Sequence, residues 1–196
     1  MIESRPGSRW FLMSMGMWFI LACVLGSSGR LARMTPPLPQ VLIGALTLVL
    51  ILSGVFNRAL RVWLEYVNLR GFVTFHLTRF VGIVFLIMYS RGDLAGEFAL
   101  TAGWGDIIAA VGALAIALFL PDPMAQPRVL FLWNAFGLAD ILTVVVTAAR
   151  IGLRSPAGIA PLLQFPMSLI PTFVVPIVIA SHLLIFWRLR RFAKQN

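Results

Sequence analysis

The chain has 196 residues, of which 60% are hydrophobic and 12% are charged, with a net charge of +9 and a mean hydropathy of +0.92. Soluble domains are about 45–50% apolar and about 25% charged, so this composition excludes a soluble globule, and it excludes intrinsic disorder as well. A single cysteine excludes a disulfide-stapled scaffold.

Charged residues divide the chain into six long apolar segments. A helix that crosses a bilayer needs about 20 mostly apolar residues. The predicted spans are residues 10–29, 40–57, 72–90, 104–120, 129–149 and 166–187. In lipid, only helices and closed barrels satisfy the hydrogen bonds of their backbone. The six segments lack the alternation of apolar and polar residues that is typical of a barrel strand, so they are predicted to be helices. We therefore predict an all-α membrane bundle of six helices that forms one domain, residues 1–196.

Two connecting segments are open to two interpretations each. In residues 58–70 the polar side chains Arg58, Arg61, Glu65 and Asn68 follow helical spacing, which indicates either an amphipathic helix on the membrane surface or an extension of the second helix. Residues 155–165 are rich in proline and form either an outer loop or a re-entrant segment. Pro171 and Pro176 are expected to kink the sixth helix and to free backbone carbonyls.

The distribution of positive charge predicts the orientation. One set of loops and ends carries ten Lys or Arg residues and the other set carries five. By the positive-inside rule, both termini face the cytoplasm. The expected location is the bacterial inner membrane, with attraction to anionic lipid head groups. No polar segment is long enough to form a nucleic-acid-binding domain.

Ionisable and polar groups inside a membrane are costly and are therefore functional candidates. They are His76, Arg79, Asp106, Asn134, Asp140 and His182. At 1.5 Å per residue, His76 and His182 both lie about 7 Å from the cytoplasmic side, with Asn134 at a similar depth. Arg79 and Asp140 lie deeper, and Asp106 is expected near the outer face.

The matched depth of the only two histidines predicts a b-type haem with His76 and His182 as its axial metal ligands and with Asn134 and Arg79 in the same site. Arg58, Arg61, Arg70 and Arg188 could meet the propionates. The other interpretation is that each histidine forms a hydrogen bond to a neighbouring helix. The two histidines are a less suitable site for zinc, because zinc needs a third or fourth ligand.

Arg79 and Asp140 have opposite charges at similar depth, which predicts a buried ion pair or, with His76, a proton or anion relay. Asp106 follows Gly103-Trp104-Gly105 and is expected to lie at the start of the fourth helix, where the helix dipole favours a carboxylate. No combination of residues typical of an enzyme active site is present, so no catalytic residue is predicted.

Small residues recur at a spacing of four in the fourth predicted helix: Gly105, Ala109, Ala113 and Ala117. Small residues allow close approach of another helix. This stripe predicts a packing face, either within the subunit or toward a second copy or a membrane-complex partner.

Several short motifs together resemble a set of small bacterial membrane proteins of no assigned function. They are Arg79-x-x-Gly82, Gly103-Trp104-Gly105-Asp106, Trp133-Asn134-x-x-Gly137-x-x-Asp140, Ile170-Pro171-x-Phe173-x-Val175-Pro176 and His182. The resemblance covers the third to sixth helices. It implies a multi-spanning protein of the bacterial inner membrane and supplies no activity.

Three functions are consistent with these residues. The first is haem binding for electron transfer or for redox or gas sensing. The second is a small transporter or channel that uses the Arg79–Asp140 pair and the proline-broken helix. The third is a non-catalytic subunit of a membrane complex.

Overall fold

A computed structural model of the chain describes residues 6–195, with side chains from residue 11, and the regular elements in that range are all helical. The α-helices are α1 (Pro6–Ser27), α2 (Leu38–Phe56), α3 (Arg58–Tyr66), α4 (Leu69–Phe75), α5 (Val81–Ser90), α6 (Gly96–Phe119), α7 (Pro127–Arg154) and α8 (Val175–Gln195). Arg5 and the side chain of Arg9, two of the ten positive charges behind the predicted orientation, lie outside the described residues.

Five helical segments are long and apolar enough to cross a membrane. They are Leu38–Phe56, Leu69–Ser90, Gly96–Phe119, Pro127–Arg154 and Ile170–Gln195. The apolar part of α1 that is described, Phe11–Ser27, is shorter. Large apolar side chains on α1 and α2, such as Met17 and Val49, are exposed, as expected for a surface that faces lipid.

The bundle has two distinct ends. At the first, which we call the cap end, residues 28–37, 91–95 and 155–169 meet, and the Ala95 amide donates to the Gly158 carbonyl at 2.9 Å. At the second, the basic end, Arg188 donates to the carbonyls of Leu64 and Val67 at 3.0 Å each. An apolar cluster around Phe85 and Phe98 fills the half near the cap end, and another around Leu130 and Ile185 fills the half near the basic end.

The third span is not one continuous helix. Residues His76–Phe80 form a 3₁₀ segment between α4 and α5. Side chains at i and i+3 eclipse in a 3₁₀ helix. This break therefore points His76 and Arg79, both buried, along the same face of the span.

The last of the predicted spans begins irregularly, as its prolines predicted. Residues Ile170–Val174 form a π-helical turn before α8. Pro176 has no N–H to offer the carbonyl of Thr172, four residues earlier. The Trp18 indole supplies the missing donor, with Nε1 at 3.0 Å from the Thr172 oxygen.

The segment after α2 is a separate helix, so the interpretation as an extension of α2 is wrong. Asn57 ends α2, and its side chain accepts a hydrogen bond from the Leu60 amide at 3.0 Å, which starts α3. Trp63 on α3 packs against Phe11 and Phe72, with ring centroids 5.0 Å and 6.4 Å apart. The apolar face of α3 thus lies partly against α1 and α4, and α3 ends at Tyr66 rather than at residue 70.

The fourth predicted span begins earlier than the sequence suggested. Helix α6 starts at Gly96, with Glu97 in its first turn, where a carboxylate interacts favourably with the helix dipole. The prediction that Asp106 lies at a helix start near the outer face is therefore wrong, because Asp106 is in the middle of α6. The predicted span began at residue 104, eight residues after the start of α6 at Gly96.

The stripe of small residues on α6 packs inside the chain. Ala109, Ala113 and Ala117 are buried, and the Trp133 indole of α7 donates to the Ala109 carbonyl at 2.9 Å. The structure thus has this stripe in packing within the subunit, and its role toward a second copy or a membrane-complex partner stays a prediction.

Candidate functional site

A polar layer crosses the middle of the bundle between the two apolar clusters. Its buried members come from the 3₁₀ break, α6, α7 and α8, and they are His76, Arg79, Asp106, Asn134, Ser181 and His182. Asp140 lies at its edge. All six polar residues singled out from the sequence are therefore brought together at one site.

Arg79 is the centre of a group of three charges, which we call the charge triad: Arg79, Asp106 and Asp140. The Arg79 Nε donates to Asp106 Oδ1 at 2.7 Å, and Nη2 donates to Asp140 Oδ2. Nη1 donates to the Gly137 carbonyl at 3.0 Å. The predicted Arg79–Asp140 pair is present, and Asp106 is a third member that the sequence analysis placed elsewhere.

Glycines create the room that the charge triad needs. A Cβ on Gly105 would overlap the Asp140 carboxylate, and a Cβ on Gly82 would collide with the Gly103 carbonyl. A Cβ on Gly137 would lie 2.9 Å from His182 Nε2 and 3.3 Å from Arg79 Nη1. These glycines let α5, α6 and α7 approach closely around the buried charges.

The hydrogen bonds of the two histidines define which ring nitrogens carry protons. The Ser181 hydroxyl donates to the Val178 carbonyl, so it accepts from His76 Nε2 at 3.0 Å. Asn134 Nδ2 donates to the His182 carbonyl at 3.0 Å, and Asn134 Oδ1 accepts from His182 Nδ1 at 2.8 Å. In neutral rings the remaining nitrogens, His76 Nδ1 and His182 Nε2, are then bare acceptors. Both are buried without a hydrogen-bond partner.

The packing of the histidines does not fit a bis-histidine haem. Two metal–nitrogen bonds of about 2 Å each would hold the ring nitrogens about 4 Å apart, with the porphyrin between the rings. Here the two ring centroids are themselves only 4.3 Å apart, at an interplanar angle of 47°. Haem ligation by this pair would require α8 to move away from the 3₁₀ break. Haem binding therefore stays a prediction from the sequence, and the observed arrangement of the two rings does not favour it.

The residues expected to support a haem have other partners. Arg70 donates to the Ala117 carbonyl at 2.7 Å and Arg61 to the Val55 carbonyl at 3.0 Å. Asn134 is engaged by His182, and Arg79 by the carboxylates. Among the described residues, no group of three His, Cys, Asp or Glu side chains is placed to hold a metal ion.

A cavity of about 210 Å³ extends from the cap end to the charge triad. Its walls are mainly apolar side chains of α2, α5, α6, α7 and α8, and the 3₁₀ segment Pro156–Leu163 covers one side. The polar groups that line it are Thr78, Arg79 and Asp106, together with Gln40 of α2. Residues 155–165, for which the sequence predicts an outer loop or a re-entrant segment, thus form part of the cavity wall.

Ser181, Gly137, Gln40 and the cavity itself were not predicted from the sequence. Serine and glutamine are common residues, and nothing in the local pattern around Ser181 or Gln40 marks them. Gly137 carried a signal, since it stands between Asn134 and Asp140 in the motif quoted for the resemblance.

Comparison with known proteins gives one match. A family model described as a domain of unknown function (DUF8737) matches residues 36–190, which contain every member of the polar layer. No curated protein and no solved structure matches the chain.

Proposed function

Because the chain belongs to this family, DUF8737, which has no assigned function, we propose a function from the geometry: a multi-pass transporter that moves a small solute across the bacterial inner membrane and couples that movement to a proton. The observation that carries the proposal is the cavity that ends on the charge triad. Binding sites of secondary transporters lie near the middle of the membrane beside interrupted helices. Here two interrupted spans, the 3₁₀ break and the π-helical turn, both border the cavity.

The charges of the triad support coupling to a proton. Two carboxylates face one guanidinium, so the group carries one negative charge more than positive when fully ionised. An uncompensated charge in a low-dielectric interior is strongly unfavourable. A bound proton or a bound cation therefore stabilises the closed bundle.

The two histidines adjoin the charge triad. His182 Nε2 and Arg79 Nη1 converge on Gly137, and the His182 ring contacts the His76 ring. His76 continues to Ser181. Neither bare nitrogen has a hydrogen-bond partner, so the histidines form no continuous hydrogen-bonded chain, and the charge triad itself holds the proton that we propose.

The distribution of positive charge supports an orientation with the basic end in the cytoplasm. Of the Lys and Arg side chains that the structure describes outside the polar layer, eight lie at the basic end: Arg58, Arg61, Arg70, Arg128, Arg188, Arg190, Arg191 and Lys194. Five lie at the cap end: Arg30, Arg33, Arg91, Arg150 and Arg154. With α1 as a sixth span, both termini would be cytoplasmic and the basic end would meet anionic lipid head groups.

Thiol accessibility tests the proposal. In a Cys23→Ala background, Ala148→Cys places a thiol on the cavity wall, and Val146→Cys places one on the same helix toward lipid. A membrane-impermeant maleimide is added to sealed vesicles of each orientation. We expect Ala148→Cys to react from both sides and Val146→Cys, which is 56% exposed but faces lipid, to react from neither. Reaction of Ala148→Cys from one side only, across the pH range, would contradict transport and indicate a static binding site.

A further inference from the structure

We infer that the cavity binds a small hydrophobic monocation, of the class of a protonated alkylamine, in exchange for one proton. The inference rests on the proposed function and adds the chemical class of the solute. It is carried by three features of the site: its charge, its hydrogen-bonding groups and its walls.

The charge of the site selects a cation. Arg79 faces Asp106 from the 3₁₀ break, Asp140 faces the same guanidinium from α7, and His182 of α8 lies beside Arg79 at Gly137. Arg79 and Asp106 are the charged residues that line the cavity. One positive charge placed beside Asp106 balances the triad, whereas an anion would leave two uncompensated negative charges.

The hydrogen-bonding groups of the cavity select a donor. Three of the five N–H groups of the Arg79 guanidinium donate to protein oxygens, as described above. The Thr78 hydroxyl donates to the Phe75 carbonyl at 2.8 Å, which leaves its lone pairs for accepting. Gln40 Oε1 is a buried acceptor without a partner. At its triad end the cavity thus presents the Asp106 carboxylate and the Thr78 hydroxyl as acceptors, and an ammonium group, with three donors and no acceptor, complements them, whereas Gln40 lies at the other end.

The walls of the cavity select an apolar body. Between Gln40 and the charge triad the lining is aliphatic and aromatic, with Phe85 and Phe98 packed edge to face, their centroids 5.4 Å apart. Aromatic rings also interact favourably with a cation near their faces. A volume of about 210 Å³ suits a short alkyl chain rather than a large lipid tail.

The exchange balances in charge. Before binding, one proton is shared within the charge triad. When the monocation enters, that proton leaves and the site keeps the same net charge, so each cation that is carried one way accompanies one proton that moves the other way. No bond other than the proton's O–H is made or broken.

Three probes of equal length test the inference on the purified protein in detergent: hexylammonium, hexan-1-ol and hexanoate. Calorimetry gives the affinity, and a pH indicator in weak buffer gives proton release. We expect hexylammonium to bind about ten to a hundredfold more tightly than hexan-1-ol, since hydrogen bonds to a charged group contribute about 1.5–3 kcal/mol. Hexanoate should bind most weakly, and one proton should be released for each hexylammonium bound.

Two kinds of variant distinguish the contribution of the charge triad to binding from that of the apolar cavity walls. Asp106→Asn and Asp140→Asn each leave one carboxylate for Arg79, so each should remove the preference for hexylammonium and the proton release while hexan-1-ol still binds. Ala148→Phe fills the cavity and leaves the triad intact, so it should weaken hexylammonium and hexan-1-ol alike. Retained binding of hexan-1-ol by the asparagine variants shows that they are folded.

Equal affinity for hexylammonium and hexan-1-ol, or a preference for hexanoate, would overturn the inference. Neither outcome decides the transport proposal, which the thiol experiment tests. If hexylammonium is not preferred but Ala148→Cys still reacts from both sides, the solute class is wrong and transport stands. If the thiol reacts from one side only while hexylammonium releases a proton, the site binds the cation without carrying it across.

Discussion

His182 lies directly against the backbone of Gly137: a Cβ on Gly137 would lie 2.6 Å from His182 Cε1. The same residue accepts a hydrogen bond from Arg79 through its carbonyl. Gly137 is thus the point at which the histidine layer and the charge triad meet, and the absence of a side chain there allows both to approach α7.

Substituting this glycine should disturb both groups at once. We expect Gly137→Ala to lower the free energy of unfolding by about 1–3 kcal/mol, because the new methyl group overpacks a rigid site. Thermal unfolding in detergent measures the change. Gly44→Ala is the matched control: Gly44 is an exposed glycine of α2 with nothing within 4 Å of its Cβ position, and alanine there should be neutral or stabilising. Equal effects of the two substitutions would show that His182 can move aside freely.

The haem prediction from the sequence has a direct spectroscopic test. With the His76 and His182 rings 4.3 Å apart, we expect the protein purified from cells with ample haem to lack the absorbance of a bis-histidine b-type haem. A Soret band that disappears in both His76→Ala and His182→Ala would contradict this expectation. It would show that α8 and the 3₁₀ break separate to admit a porphyrin.

The depth argument that led to the haem prediction correctly grouped His76, Asn134 and His182. Depth follows from a rise of 1.5 Å per residue once a helix end is known, and both histidines lie close to clear ends of their spans. Asp106 was misplaced for the same reason, since the start of α6 was set at residue 104 instead of Gly96. An error in one helix boundary moved the predicted position of Asp106 from the middle of α6 to its start.

The cavity could not be predicted from the sequence at all. Its wall combines side chains from five spans with the cap segment, and no local pattern records which apolar side chains leave space between them. The same holds for the Trp18 hydrogen bond to Thr172, which joins residues 154 positions apart. The prolines predicted a freed carbonyl, but only tertiary packing determines which donor reaches it.

Topology can be checked with reporter fusions. Fusions after Asn196 and within residues 91–95 should report opposite sides of the membrane, with the chain end in the cytoplasm, because positive charge is concentrated at the basic end. A third fusion, in the loop 28–37, should agree with the one at 91–95, since both segments lie at the cap end of the bundle. Disagreement between these two loops would show that α1 and α2 do not cross the membrane as a pair.

The charge triad predicts a pattern of stability that differs from that of a simple ion pair. Removing one partner of a buried ion pair typically costs about 3–5 kcal/mol, because the other charge is left uncompensated. Arg79→Leu leaves two carboxylates without a cation and should be the most damaging single substitution. Asp140→Leu still leaves Asp106 to pair with Arg79 and should cost less.

Combined variants separate the two arrangements. In a simple pair of Arg79 and Asp140, the double substitution to leucine would recover most of the loss. In the triad it leaves Asp106 unpaired, so the Arg79→Leu/Asp140→Leu protein should recover only part, and adding Asp106→Leu should recover more. Melting temperature and folded yield in detergent measure the series. Effects that simply add would show that the three residues act independently, because additivity is the behaviour of sites that do not interact.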